Sequence, residues 1–285
     1  MTRRTFLHAS VAGAVIQSAA AAPQTKLDQA WGTLSTLNQS KNIQHREYAI
    51  AGYAFLAQHS GRALKVTSDV LASEPDPQLR AFTATALGKE KCHTATPDLR
   101  KALNDRSSGV AFAAAKALWD MNDHTGAVVF QEILMRERKG SEGMVGGYVE
   151  DAKHKLHDPK ALTVLGVNEV VGSLFGPAGM ALSLAEQNLK DKGATGRAIA
   201  AGVLATDHSV GARKALESAL DDSSPVVRGA ACRALAILGY RSAIALVEPL
   251  LDEKSEASRS MASAAYIRLS ERYSSPKASS QRSKS

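Results

Sequence analysis

The sequence predicts an all-α protein, an α-solenoid of stacked antiparallel helix pairs interrupted by a central helical insert that lacks the repeat. Three observations lead to this prediction. Hydrophobic residues make up 44% of the 285 residues but aromatic residues only 5%, a composition that suits close helix packing. A sequence pattern recurs with a period of about 31 residues, within the range of helical repeats. Proline, glycine and helix-capping residues separate segments of helix length.

Residues 1–21 are interpreted as an export signal. Arg3 and Arg4 precede an apolar run, and small residues ahead of Pro23 fit cleavage after Ala21. The run T-R-R-T-F-L resembles the twin-arginine translocation signal, with His8 where that pattern usually has lysine. Such a signal is read by a translocase that takes folded cargo. An ordinary secretory signal is the alternative, and either one predicts an exported bacterial protein, periplasmic or secreted.

The repeat is anchored on arginines. Arg197, Arg228 and Arg259 follow one another at this constant period, and Arg80 occupies the same place in the N-terminal half. A small residue follows three positions after each anchor and a large one after seven, so both lie on one helical face. The large residues are Tyr53, Leu87, Leu118, Leu204, Leu235 and Tyr266. A leucine at the end of a second helix completes the pair.

These pairs form two predicted arrays, an N-terminal one over residues 22–136 and a C-terminal one over residues 196–273. Their helix ends are predicted from proline, glycine and helix-capping residues. Pro77 follows a capping aspartate, where its missing N–H has no cost. Gly88 and Gly239 are expected to end helices with a positive φ. Pro249 falls inside a predicted helix and should kink it.

The stretch "SPVVRGAACRALAILG" followed by "AIALVEPLLDE" resembles a HEAT repeat of the short, bilin-lyase-like type. The resemblance is close over residues 75–105 and 196–253, fair over 106–136 and 254–273, and weakest over 41–74. It implies a right-handed stack of helix pairs with an extended concave surface.

The resemblance also implies a role for the anchor arginines. In such repeats they pair with acids at the unit boundaries, so we interpret them as a structural ladder rather than a phosphate site. Each such ion pair near the surface should add ~0.5 kcal/mol to the free energy of unfolding. The predicted ladder comprises Asp76, Arg80, Asp222, Arg228, Glu253 and Arg259.

Residues 137–195 lack the 31-residue period and are interpreted as a degenerate repeat with a glycine-rich apolar insert. Residues 170–185 carry no charge, but this run is shorter than the ~20 residues that cross a bilayer. Three interpretations stay open for the apolar part. We favour a helical hairpin, near 161–175 and 178–190, packed where the two arrays meet.

The second interpretation of the insert is an apolar flap that docks on a partner or weakly on a membrane surface, with contacts from Leu174, Phe175 and Met180. The third is a small-ligand pocket. The sequence alone does not separate the three.

Catalytic and metal-binding signals are sparse. His154 and His157 lie at i and i+3 and could share a helix face as metal ligands, but we favour a solvated polar face. Cys92 and Cys232 are expected to be free thiols. No cofactor and no catalytic group are predicted.

The positive charge lies mostly at the chain ends. The net charge is +7, yet five basic residues and no acid lie in the leader and in residues 274–285, a serine-rich basic tail expected to be disordered. The nearly neutral body therefore argues against nucleic acid.

Together these features predict an exported, non-enzymatic scaffold or adaptor for a protein or cell-envelope component. The alternative is an enzyme or a nucleic-acid binder on the same fold, because bilin lyases and an alkyl-purine DNA glycosylase family use HEAT-like stacks.

Overall fold

The computed structural model describes residues 25–134 and 193–274, and within these ranges it contains α-helices, short 3₁₀ turns and no strand. The predicted all-helical fold is therefore confirmed. The helices are α1 (Lys26–Asn38), α2 (Ile43–Ala57), α3 (Gly61–Ser73), α4 (Pro77–Lys89), α5 (Thr96–Ala102), α6 (Ser108–Asp120), α7 (Ala127–Leu134), α8 (Ala194–Leu204), α9 (Val210–Ser218), α10 (Pro225–Leu238), α11 (Ala243–Val247) and α12 (Glu256–Ser274).

Several helix ends follow from the local sequence. Thr25 and Asp28 form a capping box at the start of α1, which satisfies backbone N–H groups that a helix cannot pair internally. Asp76 caps α4 by accepting from the Gln78 N–H at 2.8 Å. Gly239 ends α10 in the left-handed conformation, with φ of 73°, as predicted.

The prediction for Gly88 is wrong. Helix α4 continues through Gly88 to Lys89, and the positive φ occurs at Lys91 instead. Glycine is needed here for space, because a Cβ atom at Gly88 would lie 2.6 Å from the Ala117 Cα atom on α6. The residue thus allows two neighbouring helices to approach closely.

Pro249 changes the helix type instead of kinking an α-helix. Helix α11 ends at Val247, and Glu248–Asp252 continue as a 3₁₀ helix. Proline lacks the N–H that an α-helical bond would need, and the tighter 3₁₀ turn carries the chain onward to the next unit.

The helices form two rows whose order in space differs from their order in the chain. The first row runs α8, α10, α12, α2, α4, α6, each packed against the next. The second row lies beside it and contains α9, α11, α1, α3, α5 and α7. The C-terminal array therefore precedes the N-terminal array in space, and the contact of α12 with α2 joins them.

Helix α1 completes the repeat that α12 begins. It packs against both α12 and α2, the position that α3 occupies between α2 and α4. The Lys26 ammonium lies 3.2 Å from the Asp252 carboxylate, and the Ser260 hydroxyl donates to the Tyr48 carbonyl at 2.8 Å. The first and last helices of the described chain thus build one repeat in the middle of the stack.

The hydrophobic core crosses this junction. Trp31 and Leu34 of α1 belong to the same buried cluster as Ala265 and Leu269 of α12. Small residues predominate on the first-row helices, as the low aromatic content predicted. In α2 every side chain from Tyr48 to Ala57 is buried, because this helix has neighbours on all sides.

Parts of the predicted domain organisation lie outside the described residues. These are the leader at 1–21, most of the insert at 137–195 and nearly all of the tail at 274–285. None of the helices in the described ranges is long and apolar enough to span a bilayer.

Leu34→Ala should lower the free energy of unfolding by about 2–5 kcal/mol, as Leu87→Ala should in the middle of the N-terminal array. Both side chains are fully buried, so each truncation leaves a cavity. Chemical denaturation of the purified variants measures the loss. Leu246→Ala is the control, because this side chain is 40% exposed and its removal should cost well under about 1 kcal/mol. If Leu34→Ala behaved like the control, α1 would not be part of the core.

Candidate functional site

Arg80 shows how the predicted ladder is built. Its Nε and Nη2 atoms each donate to the Asp105 carboxylate at 2.8 Å, and Nη1 donates to the Glu74 carbonyl at 2.7 Å. One guanidinium therefore ties its own helix pair to the end of the preceding pair. The arginine is almost completely buried, with 3% of its side chain exposed, so the interaction is stronger than the surface pair that the sequence suggested.

The same arrangement recurs in the C-terminal array. Arg197 donates to the Asp222 carboxylate from Nε at 2.7 Å and from Nη2 at 2.9 Å. Arg228 pairs with the Glu253 carboxylate and donates from Nη1 to the Asp222 carbonyl at 2.6 Å. Arg80, Arg197 and Arg228 thus each donate hydrogen bonds to a carboxylate that lies 25 residues later in the sequence. Arg80 and Arg228 also take a main-chain oxygen from the end of the preceding unit.

The ladder continues across the junction of the chain ends. Arg259 of α12 donates to the Glu253 carbonyl at 2.8 Å, and its nearest carboxylate among the described residues is Glu256 at 3.7 Å. The next rung is Arg46 of α2, which pairs with Glu74 and donates to the Asn38 carbonyl at the end of α1. Asn38 therefore supplies the oxygen expected of a preceding repeat, although it comes from the opposite end of the chain.

The structure corrects the acids of the predicted ladder. Asp76 is a helix cap and not the partner of Arg80, whose carboxylate is Asp105. Asp222 and Glu253 do lie on the ladder, but each accepts a side-chain bond from one arginine and a main-chain bond from the next. The signal for Asp105 was present in the sequence, because the spacing from Arg80 to Asp105 equals the spacing from Arg228 to Glu253.

The charges of these pairs shift the pKa values in opposite directions. The hydrogen bonds that Arg80 donates to Asp105 raise the pKa of Arg80. Burial alone would raise the pKa of Asp105, but the hydrogen bonds from Arg80 and from the Ser107 N–H, together with the charges of Arg80 and Arg106, lower the pKa. The pair therefore stays fully ionised at neutral pH, as a structural device requires.

A second group of charges was missed by the sequence analysis. It lies where side chains of α10, α12 and α2 meet the segment that follows α4, and we call it the inner basic cluster. Its members are Phe55, His59, Glu90, Arg233, Arg268 and Arg272.

The ion pair of Arg233 and Glu90 connects α10 to the segment that follows α4. Arg233 lies on α10 and Glu90 follows α4, with α12 and α2 between them in the row. The Arg233 Nη2 atom nevertheless donates to the two Glu90 oxygens at 2.9 and 3.1 Å. Each side chain is only 12% exposed. The two residues are 143 residues apart in sequence, so no local pattern could reveal the pair.

Phe55 lies beneath two guanidinium groups. The Arg268 Cζ atom is 4.8 Å from the ring centroid and the Arg233 Cζ atom 5.2 Å, within the range of cation–π attraction. Burial and the charges of Arg233 and Arg272 lower the pKa of Arg268, while Glu90 opposes them. Arg268 is thus close enough to Arg233 and to Arg272 for their charges to repel its own.

Apolar side chains are exposed at the two ends of the rows. Trp119 of α6 and Val128 of α7 are exposed at one end, and Val203 of α8 and Val210 of α9 at the other. The Trp119 ring packs edge-on against the His124 ring, with centroids 4.3 Å apart.

Other sequence-predicted groups are placed as follows. Cys92 and Cys232 are free thiols, as predicted. Both are buried, and burial raises the pKa of the Cys232 thiol to about 12. The candidate ligands His154 and His157 and the candidate contacts Leu174, Phe175 and Met180 lie outside the described residues. Across 25–134 and 193–274, no three or more His, Cys, Asp or Glu side chains converge as a metal site would require.

Comparison with known families agrees with the repeat seen in the structure. The HEAT repeats family matches residues 64–140 and 182–268, more than half of the chain. The chain belongs to the HEAT-repeat family. The match reaches into the predicted insert at both of its ends. Among curated proteins, none matches this HEAT-repeat protein.

Replacing Arg80 with methionine should destabilise the HEAT stack by about 3–5 kcal/mol, because the bonds of its almost fully buried guanidinium to Asp105 and to the Glu74 carbonyl would be lost where water cannot replace them. Arg197→Met is the matched control. Arg197 makes the same carboxylate bonds, but 42% of its side chain is exposed, so the loss should stay within about 1 kcal/mol. Urea unfolding followed by circular dichroism measures both. Equal losses would show that burial does not set the strength of the rungs.

Proposed function

We propose that this HEAT-repeat protein is an exported scaffold without catalytic activity, which holds a protein or cell-envelope component on its surface. The observation that carries the proposal is the use of its charged side chains. The ladder arginines and their acids bond to one another and to main-chain oxygens, so they fix the helix pairs in place. The surface so held is the feature that HEAT stacks offer to partners.

Two parts of the surface support the proposal beyond the fold. Trp119 and Val128 are exposed at one end of the rows and Val203 and Val210 at the other; clustered exposed apolar residues mark contact sites. The inner basic cluster adds a region of surplus positive charge. Leu174, Phe175 and Met180 of the insert remain proposed partner contacts.

The position of α1 is compatible with the proposed route of export. The mature chain would begin at Ala22, a few residues before α1, and α1 packs on α12, the last helix of the described chain. This pairing is possible only after α12 has been made. A translocase that carries folded cargo would deliver it already formed.

The double variant Arg3→Lys and Arg4→Lys should leave the precursor in the cytoplasm. A twin-arginine translocase requires the guanidinium pair, whereas an ordinary secretory signal needs only positive charge, which lysine keeps. Cell fractionation and N-terminal sequencing measure the result. His8→Lys, which restores the residue usual in that signal, is the control and should be exported and cleaved after Ala21. Normal export of the double variant would contradict the proposed route.

The scaffold itself is tested by cross-linking and affinity capture from a cell-envelope fraction with the mature chain as bait. We expect one reproducible partner, identified by mass spectrometry. A bait with Leu174, Phe175 and Met180 changed to alanine should lose this partner if the insert binds it. Retention by both baits would place the contact on the helical rows. A folded bait that captures no specific partner would contradict the scaffold function.

The alternative is a HEAT-fold enzyme or nucleic-acid binder, and the inner basic cluster is the observation that favours it. Binding of duplex DNA with an affinity that falls steeply with salt would replace the scaffold proposal, because such a slope reports phosphate contacts.

A further inference from the structure

The inner basic cluster holds more positive than negative charge. Arg233 donates to the Glu90 carboxylate, and Arg268 lies within the electrostatic influence of Glu90, Arg233 and Arg272. His59 adds no charge at neutral pH, because burial and the charges of Arg268 and Arg272 lower its pKa. Among the described members of the cluster, two positive charges are therefore unmatched.

The side chains differ in depth in a way that suits a binding site. Arg233 and Glu90 are nearly buried, Arg268 is half-buried, and Arg272 and His59 are exposed. The positive charges therefore extend from the solvent-exposed Arg272 to the nearly buried Arg233. In such surroundings a bond between ionised groups is stronger than at an open surface.

Two donor groups lack strong partners. The Arg233 Nε atom is buried and has no hydrogen-bond partner in the described part of the chain. The bond that Arg268 donates from Nη1 to the Phe55 carbonyl is long at 3.4 Å. A buried donor without a partner costs free energy, so an incoming acceptor would be favoured at both places.

The cluster already binds one carboxylate. Glu90 places both its oxygens against Arg233 while the ring of Phe55 lies below the guanidinium groups. We propose that the inner basic cluster binds an acidic side chain of a partner polypeptide, with Arg268 and Arg272 as the residues that contact its carboxylate. This inference deepens the proposed scaffold function, on which it rests, by naming the chemistry of the partner.

The shape of the cluster favours a polypeptide over the other polyanions. Its deeper charges, on Arg233 and Arg268, are largely withdrawn from solvent, which suits a carboxylate at the end of a flexible side chain. A duplex presents its phosphates along a rigid backbone and needs a row of exposed cations. A membrane surface needs a cluster that stands out from the protein. Neither matches charges that recede from solvent.

The test uses the full mature chain and a fluorescent peptide of alternating glutamate and serine, with the matching glutamine peptide as control. Fluorescence anisotropy at low salt should show binding of the glutamate peptide only. Arg268→Gln should weaken it about tenfold or more, since a charge-assisted bond is lost. Arg272→Gln, at an exposed position, should weaken it about two- to fivefold. Lys214→Gln, exposed on α9 away from the cluster, should have no effect.

Glu90→Gln separates a binding role from a structural one. It removes the carboxylate that the described cluster contains and should tighten the peptide about threefold, even though the loss of its pair with Arg233 lowers thermal stability. A purely structural cluster would give lower stability without tighter binding.

The outcomes distinguish this inference from the function on which it rests. Equal affinity of the wild type and Arg272→Gln, or of the glutamate and glutamine peptides, would overturn the inference while leaving envelope capture unaffected. Tighter binding to duplex DNA or to vesicles of anionic lipid would also overturn it. Peptide binding with no partner captured from the envelope would support the site and contradict the scaffold.

Discussion

The contact between the first and last helices of the described chain governs this structure. Without α1, helix α12 would begin a repeat that has no second helix, and the apolar faces of both α12 and α2 would be open. With α1 in place, the hydrophobic core and the arginine ladder pass through the junction without a break. The two arrays are therefore one stack, whose middle is formed by the chain ends.

The curvature of the first row depends on that continuity. Arg233 can contact Glu90 only because α10, α12, α2 and α4 pack in one unbroken row. The inner basic cluster is a consequence of this curve and not of any single repeat. Its side chains come from separate helices of the row, so its composition can change without altering the repeat pattern that holds the stack.

The fold was largely predictable from the sequence because a HEAT repeat is a local pattern. The leucine positions, the capping aspartate at 76 and the left-handed Gly239 all follow from residues within one unit. The ladder was predictable in part. Arg80 and Arg228 were identified as rungs, whereas Arg46 and Arg197 were not included and Arg259 bonds to a carbonyl oxygen of Glu253. Asp76 was assigned in place of Asp105, because the ion pair spans a unit and the helix cap is adjacent. Gly88 was misread because its role depends on Ala117 of the next unit. The spatial order of the arrays and the pair of Arg233 with Glu90 depend on distant contacts that no repeat period records.

The junction of the chain ends also changes how the protein should fold. An open solenoid has contacts only between neighbours in sequence, so its units can form and melt in turn. Here the Ser260 hydroxyl meets a carbonyl 212 residues away, and contacts of such high sequence separation slow folding. They also couple the two arrays, because loss of either one removes the surface on which α1 rests. A protein built from repeats thereby acquires the cooperativity of a single globular domain.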